Sequence, residues 1–135
     1  MVPKRLVEQL DLTYYWTADM DRAVAFYRDV LGLSLIRHDG EAWAQFDAGG
    51  RRFALHGVGE GQSVAPGGAT AVFSVKDLEA ARATLMERGV PVVHEGDVQG
   101  FARFLSIHDP DGNTVELIEY AHPQAESGQE VHRIG

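Results

Sequence analysis

The chain has 135 residues, with 12 Lys and Arg against 20 Asp and Glu, a formal charge of −8, and no cysteine. Its length suits one ordinary domain, its acidity repels nucleic acid, and the lack of thiols excludes disulfides, Cys-ligated zinc and a thiol nucleophile. No apolar run approaches the ~18 residues of a membrane span, and no apolar stretch follows Met1-Val2-Pro3-Lys4-Arg5, so a cytoplasmic protein without membrane contact is expected.

Residues 7–17 are apolar and aromatic and read as a strand. Asp19 follows as a helix N-cap, and Met20, Ala23, Val24, Tyr27, Val30 and Leu31 recur at helical spacing until Gly32. Phe26 and Tyr27 belong to the core face of that helix. Strands are predicted at about 33–38, 42–47 and 51–57, turning at Asp39-Gly40 and Ala48-Gly49-Gly50. Residues 59–68, with several glycines and Pro66, form a linker without regular structure. The order then repeats: a strand from Ala69 to Val75, a helix carrying Leu78, Ala81, Leu85 and Met86 and stopping at Gly89, and strands near 91–95, 102–108 and 113–120. Asp109-Pro110-Asp111-Gly112 is a strong turn. Residues 122–135 hold little apolar content and read as a tail that is mobile or draped on a partner.

The chain is therefore written twice. Ala18-Asp19-Met20-Asp21-Arg22-Ala23 reads like Lys76-Asp77-Leu78-Glu79-Ala80-Ala81, and Phe53-Ala54-Leu55 like Val115-Glu116-Leu117. Each copy is too small to bury a core alone, so the two must pack together. The expected fold is α+β, with two tandem β-α-β-β-β modules, at about 7–58 and 69–121, within one domain.

Phe26-Tyr27-Arg28-Asp29-Val30-Leu31-Gly32-Leu33 and Asp109-Pro110-Asp111-Gly112-Asn113-Thr114-Val115-Glu116-Leu117 closely resemble the vicinal oxygen chelate superfamily. That superfamily includes glyoxalase I, bleomycin- and fosfomycin-resistance proteins and extradiol dioxygenases. The resemblance implies two modules whose sheets form a curved open cup. It also implies a homodimer, with a ligand site in the cup near the subunit interface and modules paired either within one chain or by exchange.

Metal-using members place one ligand on the first and last strand of each module. Carried over, these positions hold Leu12, Ala54, Thr70 and Glu116. Leucine and alanine cannot ligate, and one carboxylate does not hold a transition metal against water. No metal and no cofactor are therefore expected. A shifted site using His56 and Glu116 is the remaining metal arrangement.

Strand alternation gives the cup its lining. Leu12, Tyr14 and Trp16 share one face, as do Arg52, Ala54 and His56, Thr70, Val72 and Ser74, and Thr114, Glu116 and Ile118. Trp43, Gln45, Phe101, Arg103 and Phe104 are further wall residues whose facing alternation does not fix. The lining is aromatic and apolar with few polar handles, as a small-molecule pocket requires. Glu116 needs a partner there, from Arg52, His56 or a ligand, and can serve as a catalytic base. The expected function is metal-free binding of a planar aromatic ligand, cationic ones included, in the manner of a bleomycin-resistance protein that sequesters an antibiotic or metabolite. The alternatives are a glyoxalase-like or dioxygenase-like enzyme with a non-standard metal site, and a metal-free acid–base enzyme using Glu116.

Overall fold

The structure, a computed structural model, describes residues 10–59 and 61–122. Residues 7–9 of the first predicted strand, and the predicted tail beyond His122, lie outside the described residues. Strand β1 runs over Thr13–Thr17 and helix α1 over Met20–Ala25, followed by β2 at Ser34–Asp39, β3 at Trp43–Ala48 and β4 at Arg51–Gly57. The second module repeats this with β5 at Ala71–Ser74, α2 at Leu78–Glu87, β6 at His94–Val98, β7 at Ala102–His108 and β8 at Thr114–Tyr120. The two β-α-β-β-β modules are those the repeat implied, and residues 62–70 of the linker carry no helix or strand.

Both helices start at the aspartate the repeat singled out. The Asp19 carboxylate accepts from the Arg22 N–H at 3.1 Å, and that of Asp77 from the Ala80 N–H at 3.1 Å, each satisfying an orphan donor of the first turn. The first helix departs from its predicted course. After Ala25 it widens into a π-helical turn over Phe26–Val30. There Leu31 N–H donates to Phe26 O at 3.1 Å and Leu33 N–H to Tyr27 O at 2.9 Å. Gly32, at φ 77°, allows that reversal, which a side chain would resist. The sixth strand begins at His94 rather than near 91, because Pro91 has no N–H to give the ladder and pairing opens with Val93 N–H on Ser106 O at 2.8 Å.

Each module forms a four-stranded sheet, in the orders β1-β4-β3-β2 and β5-β8-β7-β6. The first strand of each pairs in parallel with the last, and the other pairings are antiparallel. Odd-numbered residues of β1 and β4 (Tyr15, Phe53, Leu55) and of β8 (Val115, Leu117) enter one core with Leu105 and Ile107 of β7 and with Tyr27, Leu78 and Leu85 from the helices. Phe53 meets Phe73 of the other sheet edge-on at 5.7 Å. The modules of one chain thus pack through their helix-bearing faces.

Polar contacts also fasten that interface. Tyr27 Oη donates to Asp109 Oδ2 at 2.7 Å, both residues being buried. The Tyr15 hydroxyl accepts from Ala71 N–H and donates to Thr114 O at 2.9 Å, inserting itself between β5 and β8. The Arg88 guanidinium donates to Val30 O at 2.6 Å and Asp29 O at 3.2 Å, capping the π turn from the other module. Burial first, and the Asp109 carboxylate second, hold the Tyr27 hydroxyl far above the usual phenol range. Burial likewise raises Tyr15, against the lowering effect of the Ala71 N–H.

Tyr27→Phe removes a hydrogen bond to a buried carboxylate and is expected to cost about 1.5–3 kcal/mol in urea unfolding at pH 7. The folded chain keeps the Tyr27 proton where the unfolded chain loses it, above about pH 10. Stability should therefore fall as pH rises past ~10, by up to about 1.4 kcal/mol per unit for this group. That component should vanish in Tyr27→Phe.

Candidate functional site

Since the odd-numbered faces meet, the even-numbered faces of β1 and β4 turn outward, and they carry the aromatic residues. Trp16 lies opposite His56 on β4, and His56 opposite Trp43 on β3, in one cross-strand row. Tyr14 sits beside Ala54, which in turn faces Gln45. Side chains in such rows touch directly. The Trp16 and His56 rings are 4.2 Å apart, Tyr14 and His56 5.4 Å, and Trp43 and His56 5.7 Å. Tyr14 meets Trp16 edge-on at 5.5 Å and Trp43 at 6.0 Å. Four rings surround a floor made by buried Ala54. Tyr14 is 41% and Trp16 45% exposed, an unusual amount of aromatic surface to leave in water.

The patch has a defined polar edge. Trp43 Nε1 donates to Gln45 Oε1 at 3.4 Å, and His56 Nδ1 donates to Gly57 O at 2.9 Å. Around it the charges are mutually paired: Arg37 with Asp39 at 2.7 Å, and Arg52 with Asp11. The facing of Trp43 and Gln45, which alternation left open, is thereby fixed toward the patch.

The rest of the expected lining falls elsewhere. Val72, half exposed, lies opposite Glu116, and Ser106 and His94 continue that row across β7 and β6. Ile118 and Phe104 form the next pair, and the Phe104 ring lies over Gly96, where a Cβ would come within 2.3 Å of it. Phe101 precedes β7 and meets Tyr120 edge-on at 5.4 Å. Leu12 and Thr70 stand just before β1 and β5. Within one chain, Glu116 therefore does not face Arg52 or His56, as the sequence suggested. The expected lining divides into an aromatic half on module one and a mixed half bearing Glu116 on module two. A cleft of about 820 Å³ opens along the seam between modules. It takes in Arg52, Thr70, Val72 and Ile118 but none of the four aromatic rings. It is an open trough of mixed lining, with Arg51, Arg52, Arg88 and Asp47 among its polar groups, whereas the aromatic patch gathers the exposed rings, and the patch is taken as the candidate site.

The family model of the Glyoxalase/Bleomycin resistance protein/Dioxygenase superfamily matches residues 9–117. The chain belongs to this superfamily. Solved structures of similar fold include a lactoylglutathione lyase from Agrobacterium tumefaciens, with 23% identity, a TM-score of 0.71, and coverage of 85% of this chain and 96% of that one. They also include TnmS3, an antibiotic binding protein from a Streptomyces species, with 25% identity, a TM-score of 0.69, and coverage of 87% and 100%. A third is an integron cassette protein from V. cholerae, with 25% identity, a TM-score of 0.70, and coverage of 90% and 100%. No curated protein matches the chain.

For this member of the glyoxalase/bleomycin-resistance superfamily, the residues do not fit a metal. Leu12, Ala54, Thr70 and Glu116 supply one carboxylate between them. Among the described residues no group of three or more His, Asp or Glu is placed to hold an ion. Sequence reasoning missed Ser106 beside Glu116, although the alternation Phe104, Ser106, His108 on β7 would have found it. It also missed Gly57, whose role depends on a contact distant in sequence.

Protein purified without chelator should carry far less than one equivalent of zinc, nickel, manganese or iron by elemental mass spectrometry. The value should not change in Glu116→Ala, since a lone carboxylate does not retain such ions.

Proposed function

We propose that the protein binds a planar aromatic small molecule on the Tyr14, Trp16, Trp43 and His56 face and acts by sequestration, as a bleomycin-resistance type of binder. One observation carries this reading: four rings, edge-on or tilted to one another, gather on one sheet face and leave Tyr14 and Trp16 exposed for a planar ligand to contact. Stacking on such rings contributes about 0.5–1.5 kcal/mol each beyond the area buried. The likeness to an antibiotic binding protein over its whole length supports the same reading.

The working form in this reading is a homodimer. The aromatic half-site and the Glu116 half-site both turn outward, and each leaves apolar surface exposed. A two-fold axis sets module one of one copy against module two of the other, twice over, closing two equivalent pockets. Glu116 then faces the aromatic rings from the second copy.

A second reading, a metal-free acid–base enzyme, draws on the row His94, Ser106 and Glu116 across neighbouring strands. Under it Glu116→Gln abolishes a turnover while ligand binding on the rings persists.

Both tryptophans of the chain lie in the patch, so tryptophan emission reports its occupancy directly. Titration with planar antibiotics and flavins should quench that emission, and Trp16→Ala or Trp43→Ala should raise Kd about 2- to 10-fold. A panel that leaves the emission unchanged argues against the binding reading. Sedimentation should give twice the 14.8 kDa chain mass. In mixed dimers, a chain with Trp16→Ala and a chain with Glu116→Gln should together restore one intact pocket.

A further inference from the structure

The His56 ring is held in one orientation by backbone outside the patch. Gly57 packs so closely on the turn between β2 and β3 that a Cβ there would lie 1.9 Å from Glu41 O. Its N–H donates to Ala42 O at 2.9 Å, which fixes the peptide further. The Gly57 carbonyl can only accept, so the 2.9 Å contact from His56 Nδ1 requires the proton on Nδ1. In the neutral ring, Nε2 then carries the lone pair. Nε2 is the nitrogen farther from the backbone, on a ring whose centroid lies 4.2 Å from that of Trp16, 5.4 Å from Tyr14 and 5.7 Å from Trp43.

Among the described residues no donor is placed on Nε2, the Tyr14 hydroxyl and the Trp16 indole N–H included. The Trp43 indole N–H is taken by Gln45 Oε1. The nearby arginines are engaged by carboxylates, Arg37 by Asp39 and Arg52 by Asp11. An acceptor covered by a stacked ligand loses its water and costs free energy unless the ligand supplies a donor.

We infer that the ligand is a planar aromatic with an N–H or O–H donor at its edge, and that His56 Nε2 receives that donor. This rests on the proposed binding of aromatic ligands by the patch and narrows it to one class. His56 is then the residue that selects among flat ligands, while the tryptophans and Tyr14 supply affinity without discrimination.

The test compares 2-naphthol with naphthalene, the same ring with and without an edge donor, at pH 8. Binding is read by NMR from the two tryptophan indole N–H resonances of the full-length protein. One hydrogen bond at a covered acceptor should make 2-naphthol bind about 10-fold more tightly than naphthalene. His56→Phe keeps a flat ring and loses the lone pair, so the ratio should fall to about one or below. His56→Gln keeps an acceptor and should retain a preference for 2-naphthol. Equal binding of both probes to the unaltered protein overturns the inference and leaves the aromatic reading standing, as does a preference that survives in His56→Phe. Failure of both probes to move either resonance overturns the two together.

Discussion

The buried carboxylate of Asp109 holds the two halves of this protein in register. Its Oδ1 accepts the backbone N–H groups of Asp111 at 3.0 Å and Asn113 at 2.8 Å, which shapes the turn between β7 and β8. Its Oδ2 accepts the Tyr27 hydroxyl at 2.7 Å and the Asn113 side-chain amide at 3.0 Å. A carboxylate this deep is tolerated because its lone pairs are met. The same turn reaches module one twice more: Asp111 accepts from Ala18 N–H at 3.0 Å, and the Asn113 amide approaches Trp16 O at 3.5 Å. One turn of module two thus grips the end of β1 and the first helix of module one. Both motifs that carried the family resemblance, the helix with Phe26-Tyr27 and the Asp109 turn, meet at this bond.

Direction follows from that grip. Tyr27 and Tyr15 belong to the helix-bearing face of module one, so fastening them to module two turns those faces together. The even-numbered face of each sheet is left outward as a necessary consequence of strand alternation. On module one that face collects four aromatic rings over Ala54, and on module two it collects Val72, Glu116, Ser106 and Ile118.

The strand alternation was legible because each strand is short and one face must be apolar. Tyr14, Trp16, Ala54 and His56 were placed together by parity from the positions Leu12 and Ala54 that the family resemblance supplied, and the register puts them on one face. The helix caps were legible because an Asp directly before an apolar run accepts from its own backbone three residues on. The π turn was not, since the apolar spacing over Phe26–Val30 is also that of an α-helix. The pairing of Glu116 with Arg52 or His56 was not available within the chain either, because parity fixes which face a residue takes within its sheet and says nothing of how two sheets are set against each other.

The amino-acid sequence by itself determined the two modules, their family, the poverty of the metal positions and the aromatic character of one sheet face. These depend on local propensity, on period-two alternation and on which side chains can ligate. Tertiary structure alone decided that the modules join by their helix-bearing faces, that Asp109 is the joint, and that Gly57 aims the lone pair of His56 into the rings. Those outcomes rest on contacts between residues far apart in the chain, Tyr27 with Asp109 and Gly57 with Glu41, whose geometry no local pattern encodes.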